Sequence, residues 1–151
     1  MTDAESFLRT QAFGLLHALT PESAPHWGRM SAQQMLEHLE SAMRMSTGDY
    51  VLPVVTPDEH LARTRAFLAT EEPMPQGVVL PGGEGLVPPV HASLAAAHAE
   101  LARATERFLS GERAGGVTPA HPVFGVLEHA DWLRFHVKHV THHLRQFGLI
   151  D

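Results

Sequence analysis

Apolar residues recur at intervals of three and four along four stretches of the chain, the spacing that gathers them on one face of a helix. The first stretch runs from about Asp3 to Leu19, with Leu8, Ala12, Leu15, Leu16 and Leu19 on one stripe. It stops at Thr20-Pro21, where proline disfavours helical backbone in the residue before it. The second opens on Ser31-Ala-Gln-Gln34, the pattern of a capping box, flanked by Met30 and Met35 as a hydrophobic staple, and leaves at Gly48. Its inward stripe is Met35, Leu39, Ala42 and Met43, while Glu37, Glu40 and Arg44 are expected to point away. The third runs from about His91 to Leu109, with Leu94, Leu101, Thr105 and Phe108 inward and Gly111 beyond its end. The fourth covers Glu128 to Phe147 and is closed by Gly148; Arg134, Lys138, Thr141 and Arg145 face outward, and Leu133, Val140 and Phe147 inward.

Between the second and third stretches lies a long connection. Thr56-Pro57-Asp58-Glu59 is a further capping-box pattern with proline at the first helical position, which predicts a short helix to about Ala69. Glu71 to Pro89 is then rich in proline and glycine and reads either as a surface crossover or as a lid over a site. There is no internal repeat. Four amphipathic helices around one long connection predict an all-α chain, a four-helix bundle forming a single domain over residues 1–151. If the first and second helices, and the third and fourth, are antiparallel neighbours, the crossover joins two parallel helices and the topology is up-down-down-up.

Composition narrows the function classes. The 151 residues are 44% hydrophobic and 19% charged, which is a globular balance. A formal charge of −6, with eleven Lys and Arg scattered along the chain, argues against a nucleic-acid partner. There is no cysteine, hence no disulfide, thiolate ligand or thiol nucleophile. Met1-Thr-Asp-Ala-Glu-Ser is acidic and unlike a signal peptide, and no apolar run reaches the ~18 residues that span a bilayer. A soluble cytoplasmic protein with no membrane partner is the expectation.

The twelve histidines carry the chemistry. His17, His60 and His91 fall near helix ends or exposed positions and read as solvated or capping groups. His129, His136, His139 and His143 fall within the half of the fourth helix that holds Leu133, Val140 and Phe147. His139 and His143 stand one turn apart on one face, an arrangement that can clamp a divalent transition metal. The alternative is a pair of ordinary hydrogen-bonded core imidazoles. His142 falls on the flank. His38, midway along the second helix on the margin of its apolar stripe, is the natural third ligand; His98 and His136 are reserves.

Met30-Ser-Ala-Gln-Gln-Met-Leu-Glu-His38-Leu, followed far downstream by His139-x-x-x-His143-Leu-Arg-Gln146, resembles the DinB-like superfamily of metal-binding four-helix bundles. Trp27, His121-Pro122-x-Phe124-Gly125, Trp132 and His139-x-x-His142-His143-Leu-Arg-Gln146-Phe147-Gly148 look like one branch of it, known only as a domain of unknown function. The resemblance spans the chain through three anchor segments. It implies an up-down-down-up bundle, often a homodimer, with a metal held by His38, His139 and His143. The chain departs from the pattern in two places: the fourth helix starts at Leu127-Glu128-His129 with no Ser or Thr cap, and the Pro/Gly-rich connection has no counterpart in generic members.

Three neutral imidazoles would leave the charge of zinc or nickel uncompensated and a coordination position open. Such a centre lowers the pKa of bound water to about 7 and equally stabilises a thiolate. Without cysteine, that thiolate would come from a low-molecular-weight thiol cosubstrate. Relatives include thiol-dependent S-transferases and metal-dependent hydrolases, so either reaction on a small-molecule substrate is implied; the alternative is a non-enzymatic metal- or small-molecule-binding, stress-related bundle. No general base stands out, since there is no His-Glu-x-x-His motif and Glu37 is placed on the solvent side. Gln146 reads either as a support for a ligating histidine or as a solvated helix-end residue. His121 either packs the turn before the fourth helix or lines the site mouth. Phe124 reads as a core plug, and Trp27 and Trp132 as core aromatics.

Overall fold

The computed structural model describes residues 1–78, 86–116 and 118–151. The chain is mostly helical. Its N-terminal helical run comprises α1 (Asp3–Ser6), a π-helical turn (Phe7–Gln11) and α2 (Ala12–Leu16). It is opened by a reciprocal capping box between Thr2 and Glu5. Helical geometry ends at Leu16, three residues before the expected stop, but Leu19 is still buried because two tight main-chain bonds, Ala18 to Leu15 and Leu19 to Leu16, fold the exit back.

Helix α3 (Ala32–Ser46) starts from the capping box the pattern predicts: Ser31 Oγ accepts from the Gln34 N–H and Gln34 Oε1 accepts from the Ser31 N–H. Its buried face is wider than the heptad stripe and includes Leu36 and Met45 as well as Met35, Leu39, Ala42 and Met43. Helix α5 (Leu94–Leu109) begins three residues later than expected, because Ser93 is the cap, its Oγ accepting from the Ala96 N–H. Helix α6 (His129–Gln146) has Glu128 as its N-cap with no side-chain bond. The fully buried Leu127 and Trp132 anchor that end, and Trp132 Nε1 donates to the Pro119 carbonyl. α3 packs most extensively on α5 and also contacts α6, while α2 rests on α6.

The connection between α3 and α5 contains α4 (Asp58–Ala66) and a 3₁₀ turn (Phe67–Ala69), the short helix the sequence predicts. Its expected capping box does not form. Pro57 is the N-cap, and Thr56 Oγ1 instead donates to the Val123 carbonyl, tying the connection to the loop before α6. That loop folds as a two-residue antiparallel ladder, β1 (Ala120–His121) with β2 (Gly125–Val126), a small strand element that helical periodicity does not report. Of the Pro/Gly-rich stretch read as crossover or lid, residues 79–85 lie outside the described residues. Its later part runs against α3: Gln34 Nε2 donates to the Val87 carbonyl, Gln33 Nε2 to the His91 carbonyl, and the Val90 and His91 N–H groups donate to Glu37.

Two acidic positions therefore differ from the sequence reading. Glu37 does not project into solvent but accepts these main-chain bonds. Glu40 is buried, 8% exposed, with its Oε2 2.6 Å from His91 Nε2. An acidic side chain on the polar margin of a helix is buried when a neighbouring segment brings its own donors. That segment is 51 to 54 residues away in sequence, so heptad spacing carries no trace of it. His91 is accordingly a paired group, its pKa raised by the Glu40 carboxylate rather than left at the ordinary value.

Candidate metal centre

The buried residues Met35, Leu36, Leu39 and Met43 seat α3, and Trp132, Phe135, Val140 and Leu144 seat α6. Their facing margins then bring three imidazoles together. His38 Nε2 lies 2.9 Å from His139 Nε2, and His143 Nε2 lies 3.1 Å from the same atom. Each of the three residues offers one ring nitrogen within 4.8 Å of the others. His143 is buried, His139 half-buried and His38 exposed, so the cluster opens toward solvent on the His38 side. Phe135, one turn before His139, stacks on that ring at 5.1 Å between centroids.

Burial favours the neutral form of the His139 and His143 rings. Loss of water around it pushes the His143 pKa down to about 3, with His38 adding a smaller repulsion. His139 is held well below the ordinary value, first by burial and then by the neighbouring His143 and His38. His38 is lowered by the same desolvation, with His142 contributing. The tautomer of His143 follows from its surroundings. Gln146 Nε2 donates to the Trp27 carbonyl at 3.0 Å, which points Gln146 Oε1 at His143 Nδ1, 2.7 Å away. Nδ1 therefore carries the proton and Nε2 presents a bare lone pair to the centre.

This donor set fits a divalent transition metal. The Nε2 atoms of His38 and His143 both approach His139 Nε2, yet His143 brings no proton to the cluster, and burial resists adding one. Imidazole bonds of ~2.0–2.1 Å to one cation place adjacent nitrogens about 3.0–3.4 Å apart, close to the two separations that His139 Nε2 makes with His38 and His143. His139 Nδ1, the ring nitrogen remote from the cluster, is buried without a partner among the described residues.

Of the remaining candidates, His142 borders the cluster, its ring centroid 4.9 Å from that of His143, and the others have partners elsewhere. His142 is half-buried on the flank, its ring edge-on to Trp27 at 5.4 Å; burial lowers its pKa, and the Met74 main chain opposes that shift. His136 is fully buried, its Nε2 2.8 Å from Ser46 Oγ and its pKa pushed down to about 3 by burial. His98 stacks on His17 at 4.7 Å. His121 packs among Phe124, Trp132 and Phe135; its Nδ1 accepts from the Val123 N–H, and burial lowers its pKa to about 4. Phe124 and Trp132 are core residues, but Trp27 is only half-buried and borders the site through its carbonyl and ring. The i,i+4 spacing of Phe135 and His139 signals their stack. No pattern points to the Trp27 carbonyl, because a main-chain acceptor leaves no mark in the residue type. A broad groove of about 540 Å³ lies elsewhere, along the outer face of α6 by Leu133, Lys138 and Arg145.

A mostly helical chain whose separate helices converge three neutral imidazoles defines a candidate three-histidine centre that could hold a metal ion. Residues 9–148 match the family described as "Protein of unknown function (DUF1569)", and the chain belongs to that family. Comparison with curated proteins and with solved structures found no match.

Proposed function

We propose that this chain is a metal-dependent enzyme of DinB-like architecture, a four-helix bundle of up-down-down-up topology in which His38, His139 and His143 hold zinc or nickel. The observation that carries the reading is the convergence of the three Nε2 atoms from two helices about a hundred residues apart in sequence. A divalent ion held there supplies Lewis acidity toward an oxygen or sulfur nucleophile. The protein's own contribution is to keep His139 and His143 neutral by burial, to leave the His38 side open to a ligand, and to place no carboxylate among the three ligand groups. The uncompensated charge then favours an anionic fourth partner. Hydrolysis and transfer to a small thiol are the two reactions this arrangement suits.

A saturated, purely structural centre would need a fourth protein ligand. The reserve ligands His98 and His136 meet His17 and Ser46 instead, and the His142 ring lies edge-on to Trp27. This favours an open position over the non-enzymatic alternative. The homodimer belongs to the same reading, and sedimentation of the metal-loaded chain tests it.

The decisive experiment is metal analysis of the purified chain and of a His139→Ala plus His143→Ala variant. The wild-type chain is expected to hold about one equivalent of zinc, nickel or a similar ion. The variant should hold none while keeping its helical circular dichroism. Unchanged metal content in the variant overturns the assignment. A thermal-shift screen of small thiols on the loaded protein then separates the two chemistries: stabilisation by a thiol supports transfer, and its absence with turnover of an ester or amide supports hydrolysis.

A further inference from the structure

Gln146 is 4% exposed, and each polar atom of its side chain has a different partner. Oε1 accepts from His143 Nδ1 at 2.7 Å, while Nε2 donates to the Trp27 carbonyl at 3.0 Å. Its main-chain carbonyl also accepts from the His26 N–H at 2.7 Å. The segment that receives these bonds, His26-Trp27-Gly28, belongs to the connection between α2 and α3 and contributes no ligand of its own. Gly28 has a φ of +75°, and a Cβ there would stand 3.0 Å from Gln146 Nε2. The close approach of this segment to the amide thus depends on a residue without a side chain.

The three imidazoles are not supported alike. His143 has its outer nitrogen held, whereas His139 Nδ1 is buried without a partner among the described residues. A ligating imidazole ordinarily donates its remote N–H to an acceptor that fixes the ring and raises its basicity. Among the described residues only one ring has such an acceptor in the interior, and that acceptor's orientation is set by a main-chain carbonyl from another part of the chain.

We propose that Gln146 is the positioning residue of the centre: its Oε1 holds the Nδ1–H tautomer of His143, and its Nε2–H, anchored on the Trp27 carbonyl, makes the α2–α3 connection part of the metal site. The inference rests on the three-histidine reading. It assigns two separable roles to one amide. The acceptor oxygen governs metal affinity, and the donor nitrogen governs how firmly the 26–28 segment is held.

Two substitutions pull these roles apart. Gln146→Leu removes both. Gln146→Glu keeps an oxygen to accept from His143 Nδ1–H but has no N–H for the Trp27 carbonyl. Zinc affinity is read by competition with a chromophoric chelator, and the urea midpoint of the metal-free chain is read separately. Gln146→Leu is expected to weaken zinc binding by about 10–100-fold and to lower the metal-free midpoint. Gln146→Glu should lower the midpoint similarly yet hold zinc within about tenfold of wild type. Gly28→Ala crowds the amide without touching a histidine and should weaken zinc binding in the same direction as Gln146→Leu. Wild-type affinity in Gln146→Leu, or equal losses of affinity in the Glu and Leu variants, overturns the proposal. If Gln146→Glu does not fold, Gly28→Ala with unchanged zinc affinity overturns it as well. Failure of the wild-type chain itself to bind zinc, nickel or cobalt is a different result: it removes the three-histidine reading, and this inference with it.

Discussion

Replacing His139 by leucine separates a metal ligand from a structural imidazole. In the metal-free chain His139 Nδ1 is buried without a partner among the described residues, and such an unsatisfied group costs about 1–3 kcal/mol. What the ring returns is roughly one net hydrogen bond through Nε2 to His38 or His143, worth about 1 kcal/mol. Leucine keeps the apolar contact with Phe135 and brings no polar atom. The metal-free His139→Leu chain should therefore be as stable as wild type or more so, by up to about 2 kcal/mol. For a domain of this size that is a rise of at most about 4–8 °C in Tm. The loaded state should behave in the opposite way. A free metal concentration of 100 Kd stabilises wild type by about 2.7 kcal/mol, roughly 5–11 °C, and should leave the variant unmoved. The assay is a pair of thermal melts for each chain, in chelator and in excess zinc or nickel. A metal-induced shift of wild-type size in His139→Leu refutes the ligand assignment. A metal-free loss above about 3 kcal/mol shows instead that the imidazole is a structural hydrogen-bonding group.

The metal-free chain should lose stability in mild acid. His136 is lowered from 6.5 to about 3 by burial, so on acidification the unfolded chain takes up the proton first; stability is complete above about pH 6.5 and is lost progressively as pH falls toward 3. At pH 5 this one residue accounts for about 2 kcal/mol, with His143 acting in the same direction, and urea midpoints at pH 7.5 and 5 that agree would contradict it. Ser31→Ala removes the acceptor at the start of α3 and should cost about 1 kcal/mol, a drop of about 2–4 °C in Tm without change in metal stoichiometry. Gly148 closes α6 at a φ of +67°, with the Leu149 N–H returning to the Leu144 carbonyl; Gly148→Ala forces a left-handed alanine and displaces the His26 ring, for a loss of about 1–2 kcal/mol by chemical denaturation. A neutral Gly148→Ala would show that the exit turn rearranges freely.

Where a feature depended on residues close in sequence, it could be read from the chain alone. The start of α3 follows from Ser31, Gln34 and the apolar spacing that follows them, and α4 follows from proline and acidic residues at its first turn. The one-turn spacing of His139 and His143 needs only helical geometry. Local rules failed where a distant segment supplied the partner. Glu40 looks like a solvated helix margin until His91 reaches it from across the connection, and Thr56 looks like a cap until the Val123 carbonyl takes its hydroxyl.

The division at the centre itself has the same cause. Periodicity and residue type placed paired imidazoles on one face of the last helix and a lone imidazole on the margin of the second, because both depend on a backbone repeat of a few residues. Packing of α3 against α6 decided that Nε2 of His38 and His139 meet at 2.9 Å, and the seating of the α2–α3 connection on α6 decided that Trp27 is a rim residue and that Gln146 turns its oxygen toward His143. Those outcomes rest on the relative positions of segments roughly a hundred residues apart. They are set by the buried contacts of the whole core, which no local stretch of the chain encodes.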